Sequence, residues 1–436
     1  MIRITIGVAA ALVSATGLPA QTATSARARQ VAADVRTLSA DGWQGRKVCS
    51  PGNDSARTWL AARLRRIGVA PAFDGASHAQ SWTLGSTTAT RQAGVAGCTA
   101  SNVVGVLRGV GPLSGQTVIL GAHFDHLGTG PFASRTPQDS GQPHNGADDN
   151  ASGTAAVLEI ARLLAEERRA AVVRNARTVV FVFFDAEEEG ALGSVYFAEN
   201  PVPQPLDSAI AMLNFDMVGR LRNNRLLAFG ARSATEWTAL LDSLNAGGGG
   251  GGGGAGFDLR ASGDGWGPSD HASFFARQRP VLHFFTDLHE EYHGSRDDAP
   301  LIDADGIVRI ADFAAALTRR LMVRPAMLTF VDAPPPAPPA AAAAASGRPR
   351  PSLGTIPDMS DEPGGVRLSG VRAGSAADSA GMRQGDILIG LGEHTIANLQ
   401  DFQNALMAHE AGQRVEVRWQ RGDQVMRATV LLGGRN

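Results

Sequence analysis

Residues 178–190 read TVVFVFFDAEEEG. Seven apolar or β-branched residues in a row predict a strand buried on both faces. The run passes without a break into Asp185 and then Glu187-Glu188-Glu189. Carboxylates crowded at the end of a buried strand repel one another and lose hydration, so something must offset their charge.

Other strand-like runs deliver similar groups. TVILGAH (117–123) ends on a histidine and continues into Phe124-Asp125, and AIAMLNF (209–215) is followed by Asp216. RPVLHFF (279–285) leads through TDLHEEY to His293, and RLLAFG (225–230) is a further strand. Asn145-Gly146-Ala147-Asp148-Asp149-Asn150 immediately precedes residues 153–169, where Val157, Ile160, Ala161 and Leu164 share one helical face. Residues 307–322, IVRIADFAAALTRRLM, close with an amphipathic helix. Strands alternating with helices predict an α/β fold, with a mixed, largely parallel central sheet covered by helices on both faces. In such folds the working residues sit just past the strand ends.

Residues 289–294, HEEYHG, match the H-E-x-x-H pattern of zinc-protease helices. That chemistry needs both histidines one turn apart on a sustained helix. Here Gly294 follows the second histidine and Pro300 comes soon after, which leaves little helix. His293 is therefore expected to ligate metal in a different site, with His289 and Glu290 at its rim.

Two histidines and three carboxylates suit a pair of zinc ions, one carboxylate bridging them and another free to act as base. The runs GAHFDHLG, NGADDNASG, DAEEEGALGS, LNFDMVG and EEYHGSRDD, in this order, resemble the co-catalytic di-zinc exopeptidases of metallopeptidase family twenty-eight. That family includes secreted bacterial aminopeptidases and, more distantly, glutamate carboxypeptidase, the transferrin receptor ectodomain and glutaminyl cyclase. The likeness covers roughly residues 30–325 and implies a zinc exopeptidase fold holding two zinc ions.

Carried over by motif, the resemblance implies His123 and Asp216 on one zinc, Glu188 and His293 on the other, and Asp149 bridging. It implies Glu187 as general base and Asp125 as the carboxylate that orients His123, with Asp297 doing the same for His293. Gly190 sets the register of the three glutamates. Asp270 and His271 are expected near the substrate pocket, although Ser269 or Asp270 also reads as a helix cap. Trp266 either lines that pocket or packs its loop. His126 and His144 are off-pattern and expected to be exposed.

With 43% hydrophobic and 19% charged residues and a formal charge of −2, the 436-residue chain reads as globular, with no global field favouring nucleic acid or an anionic membrane. MIR followed by ITIGVAAALVSATGLPA reads as an export signal, giving a segment 1–26 removed from a secreted or periplasmic protein and no stable membrane anchor. In an exported chain the two cysteines, Cys49 and Cys98, are expected to pair. The peptidase domain is expected over 27–331, with a surface loop at Gly247–Gly254. A Pro/Ala-rich spacer follows over 332–351.

Residues 352–436 carry a second resemblance. AGMRQGDILIGLGEHTI is similar to the PDZ domains of bacterial proteases, a small β-rich fold, and Val415, Val417 and Trp419 alternate with polar residues as a half-exposed strand should. Such a domain adds a peptide to a sheet edge and captures its C-terminal carboxylate. Ser352-Leu353-Gly354-Thr355 would form the carboxylate loop.

Together these readings predict an exported zinc aminopeptidase acting on peptide substrates, with acids such as Glu290 and Glu291 favouring a free amine. A carboxypeptidase, a glutaminyl cyclase and an inactive PDZ-bearing binding protein are the alternatives.

Overall fold

The structure, a computed structural model, describes residues 19–73, 77–172, 174–247, 255–335, 350–358 and 364–435. Most of the export segment (1–18), the glycine run beyond Gly247 and spacer residues 336–349 lie outside the described residues.

The first unit contains α1 (Pro19–Leu38), α2 (Pro51–Ile67), β1 (Ala70–Pro71), β2 (Ala79–Thr83), α3 (Thr88–Ala93), β3 (Thr99–Leu107) and β4 (Thr117–His123). There follow α4 (Gly153–Ala170), β5 (Thr178–Phe184), α5 (Leu192–Glu199), β6 (Ala209–Phe215), β7 (Arg225–Phe229), α6 (Trp237–Gly247), β8 (Asp258–Ser262), α7 (His271–Phe275), β9 (Val281–Phe285) and α8 (Ala304–Val323). The nine strands form one sheet in the order β1-β3-β5-β4-β6-β9-β7-β8, with β2 on β3. β5, β4, β6 and β9 run parallel at its centre. β3 and β7 flank them antiparallel, so the sheet is mixed, as its uneven run lengths suggest.

Both faces of the centre are covered. Along β5, Val179, Phe181 and Phe183 join a core with α1, α2, α4, α6 and α8, while Val180, Val182 and Phe184 join a second core with α5 and α7. The period-two split of one continuous apolar run explains why this strand shows no polar alternation in sequence. Cys49 and Cys98 form a disulfide. No helix among the described residues is long and apolar enough to cross a membrane.

The second unit has its own core, centred on Leu388, Val417 and Trp419. It contains β10 (Arg350–Ser352), β11 (Thr355–Pro357), β12 (Val366–Val371), α9 (Ala376–Ser379), β13 (Ile387–Leu391), β14 (His394–Thr395), α10 (Leu399–Met407), β15 (Arg414–Arg421), β16 (Gln424–Leu431) and β17 (Gly433–Arg435). β10 begins two residues before the expected boundary because it pairs with β17. β11 is the terminal strand of a six-stranded sheet.

Candidate metal centre

The parallel strands set the site by register alone. β4 and β5 align His123 with Phe184, so Asp125 and the 185–188 segment leave the sheet together. β4 and β6 align Gly121 with Asn214, which brings Asp216 level with His123. Asp149 arrives from the turn 147–152 that opens α4, where the Asp149–Asn150 peptide is cis.

Two groups of side chains meet at Asp149. Its Oδ1 lies 3.2 Å from His123 Nε2, which is also 3.5 Å from Asp216 Oδ1. Its Oδ2 lies 3.1 Å from His293 Nε2, which is 3.2 Å from Glu188 Oε2. Asp148 turns away, its Oδ1 accepting from Gly219 N at 2.7 Å. His123, Asp149 and Asp216 have ligand atoms close enough to share a cation, as do His126, Asp149 and Glu188.

The electrostatics match such a basin. Burial would lower His293, but the Glu188 and Asp149 carboxylates raise it to about 10. Burial would raise Glu188, yet His293 and His126 hold it near 2. Burial also pushes Glu187 well up, and Asp270, Glu188 and Asp216 push it further. Asp216 Oδ1 and His126 Nε2 are buried without a hydrogen bond. Imidazole nitrogens and carboxylate oxygens converging in two groups that share one carboxylate are a donor set that fits two zinc ions.

The surrounding hydrogen bonds correct several expectations. Asp125 lies 3.7 Å from His123 Nδ1, which instead meets the Asp125 carbonyl at 3.2 Å. The Asp125 carboxylate accepts from Glu187 N and Glu188 N, and so fixes the acidic turn. Asp297 does not orient His293: its Oδ2 accepts from Asp148 N and Asp149 N, while His293 Nδ1 meets Ala133 O. Residues 289–294 form a turn. His289 is buried, 3.2 Å from Asp148 Oδ2, and only Glu290 is exposed, paired with Arg296. Glu291 engages His289 and Arg220, and neither glutamate lines the cleft.

His126 and His144 are fully buried, against expectation. His126 Nδ1 sits 2.7 Å from Glu188 Oε1, and His144 Nε2 bonds Ser134 Oγ at 2.8 Å. His271 is buried, stacks on His283 at 4.5 Å and lines the cleft, whereas Asp270 is buried with its pKa raised to about 7, first by burial. Trp266 does both things expected of it, lining the cleft and donating Nε1 to Ala333 O.

Two residues have roles that the sequence does not convey. Ser269 donates to Asp216 Oδ2 at 2.8 Å and itself accepts from Asn214 Nδ2, a role beyond helix capping. Arg46, wholly buried, donates to the carbonyls of Leu38, Phe124, Asn145 and Gly146. No periodicity marks a lone arginine in a loop; the neighbouring Gly45 is the faint signal. At φ +68 it passes so near Gly128 O and His144 O that a Cβ would lie 2.4 and 2.5 Å from them.

Residues 102–318 match the model of peptidase family M28, and residues 351–432 match that of the PDZ domain. An aminopeptidase of Pseudomonas aeruginosa is 37% identical over 118 residues, which is 27% of this chain and 18% of the relative. The chain thus spans less than a fifth of that protein. A Zn-dependent exopeptidase from Parabacteroides distasonis superposes with a TM-score of 0.53 at 20% identity, over 67% of this chain and 97% of that one. The glutaminyl cyclase of Porphyromonas gingivalis superposes with a TM-score of 0.53 at 19% identity, over 67% and 98%. At these identities the two structures share the fold. The chain therefore joins a peptidase family M28 domain, which carries the candidate metal centre, to a C-terminal PDZ domain.

Proposed function

We propose that this chain is an exported two-zinc aminopeptidase that removes N-terminal residues from peptides. The observation that carries the reading is Asp149, one oxygen toward His123 and Asp216 and the other toward His293 and Glu188. His123 and Asp216 would hold one zinc, His293 and Glu188 the other, and Asp149 would bridge. Zinc bound there supplies an acidified water and a Lewis acid for the scissile carbonyl. Glu187, which lines the same cleft, takes the proton from the attacking water on its carboxylate and returns it to the leaving amine. Asp125 keeps Glu187 and Glu188 in register through their backbone N–H groups. Ser269 aims Asp216, as groups behind metal ligands do.

Glu187 and Asp264 face the cleft with Arg135, and the excess of acids suits a substrate ammonium. The likeness to the Pseudomonas aminopeptidase points the same way. The Cys49–Cys98 disulfide suits an oxidising compartment outside the cytoplasm.

The test compares a short peptide with its N-acetylated twin on the zinc-loaded protein and on Glu187→Gln, with mass spectrometry of the products. Loss of single N-terminal residues from the free peptide alone, absent in the variant, is expected. C-terminal trimming of both peptides would move the assignment to a carboxypeptidase. Loss of ammonia from an N-terminal glutamine without shortening would move it to the cyclase, whose fold this chain shares.

A further inference from the structure

The PDZ domain does not sit apart from the metal centre. One cavity of about 1320 Å³ is lined by His123, Asp149 and Glu187 of the peptidase unit and by Leu353, Phe402 and Leu406 of the PDZ unit. Small-molecule sites take roughly 300–1,000 Å³, so this space suits a peptide of several residues rather than a single amino acid.

The PDZ residues in that cavity belong to its peptide-binding groove. β11 is the terminal strand of its sheet, so among the described residues one of its edges pairs with no strand, and α10 contributes the opposite wall. An extended peptide can add to such an edge. The groove ends at residues 352–355, where Gly354 turns at φ +79 and a Cβ would lie 2.2 Å from Ser375 Cβ. Polar contacts tie the units together. Asp358, buried, accepts from Arg225 of β7 at 2.6 Å, and Ser369 Oγ donates to Asp287 Oδ2 at 2.6 Å.

We infer that the PDZ groove binds the C-terminal carboxylate of the same peptide whose N-terminus lies at the metal centre, so that the enzyme selects short peptides by length and by a free C-terminus. The inference rests on the aminopeptidase reading. The occupant follows from the shared cavity. The groove and the metal centre line that one space. A peptide already held there has its far end in reach. An extended chain advances about 3.3–3.6 Å per residue, so only a narrow range of lengths joins both sites, and binding at both ends raises effective affinity only within that range.

The experiment uses the full-length zinc-loaded protein. Peptides of about three to about ten residues are offered as free acids and as C-terminal amides, beside an aminoacyl anilide that fills the metal site alone. The acid-to-amide ratio of kcat/KM is expected to peak at one length at roughly ten- to a hundredfold and to fall on either side. Gln403→Glu, on the exposed side of α10 within the cavity, sets a carboxylate against the incoming one and is expected to bring that ratio close to one. Turnover of the anilide with a ratio of one at every length overturns the inference and leaves the aminopeptidase reading standing. Anilide turnover stimulated by N-acetylated free acids also overturns it, assigning the groove to a regulatory ligand. An inert anilide removes the aminopeptidase reading, and this inference with it.

Discussion

Arg46 offers the sharpest test of how the metal centre is held. Its guanidinium donates Nε to Phe124 O at 2.8 Å, Nη1 to Leu38 O and Asn145 O at 2.5 and 2.6 Å, and Nη2 to Gly146 O at 3.0 Å. Phe124 lies between His123 and Asp125, and Gly146 lies three residues before Asp149. One planar fork thus pins both loops that carry the proposed zinc ligands to the end of α1. Burial lowers its pKa to about 10, while Asp125 and Asp149 work to raise it, so it stays charged at neutral pH. In Arg46→Lys a single ammonium cannot span carbonyls from three segments, and at least two acceptors stay buried without a donor. Each costs about 1–3 kcal/mol, hence roughly 2–6 kcal/mol in all. At about 2–4 °C per kcal/mol for a domain of this size, the metal-free protein should melt about 4–24 °C lower. Zinc affinity should fall with it, because the ligand loops lose their common anchor. Differential scanning calorimetry of the metal-free protein and competitive zinc titration measure the two effects. A melting temperature within about 2 °C of wild type, with unchanged zinc affinity, would refute the reasoning.

Ser269→Ala removes the hydroxyl that aims Asp216 and is expected to weaken zinc binding about 10–100-fold with little change in melting temperature of the metal-free protein; chelator competition reads the first and calorimetry the second. Reduction or Cys49→Ser should destabilise the peptidase unit by about 2–4 kcal/mol, the cost of freeing a loop of this length, seen as a lower denaturation midpoint in urea. In the PDZ unit, burial would raise the Asp386 carboxyl, but its two bonds to Arg421 and one from Arg383 N hold it below its usual value. That contribution is present above the unfolded carboxylate pKa and is lost as pH falls through the lower folded value. The stability gap between wild type and Asp386→Asn, followed by thermal melts from pH 6 to pH 3, should therefore narrow on acidification; a constant gap would count against the ion pair.

The sheet was legible because its central strands are covered on both faces and so read as unbroken apolar runs. The spans expected at 117–123, 178–184 and 209–215 are those observed. Strand ends then pointed to the acids and histidines, since a parallel sheet aligns its C-terminal ends without help from side chains. What sequence pattern could not convey is the direction each loop residue takes after leaving the sheet. The sequence places His126 and His144 in solvent and His289 at the rim of the site, yet all three fold inward. The charge basin explains two of them. Glu188 and Asp148 are buried carboxylates, and the histidine rings at 2.7 and 3.2 Å are what they meet in place of solvent. The spacing of HFDH over 123–126 held the signal for His126: two histidines bracketing an acid just past a buried strand both have reason to turn toward the same charge.

The same limit governs Asp297. The family resemblance implies that it orients His293, but its Oδ2 alone accepts from both adjacent N–H groups, those of Asp148 and Asp149. Those N–H groups belong to a turn that opens a helix, where backbone donors lack carbonyl partners within the helix. The anion goes where the unpaired donors are, and in doing so it fixes the backbone of Asp149, the residue proposed to bridge the two metals.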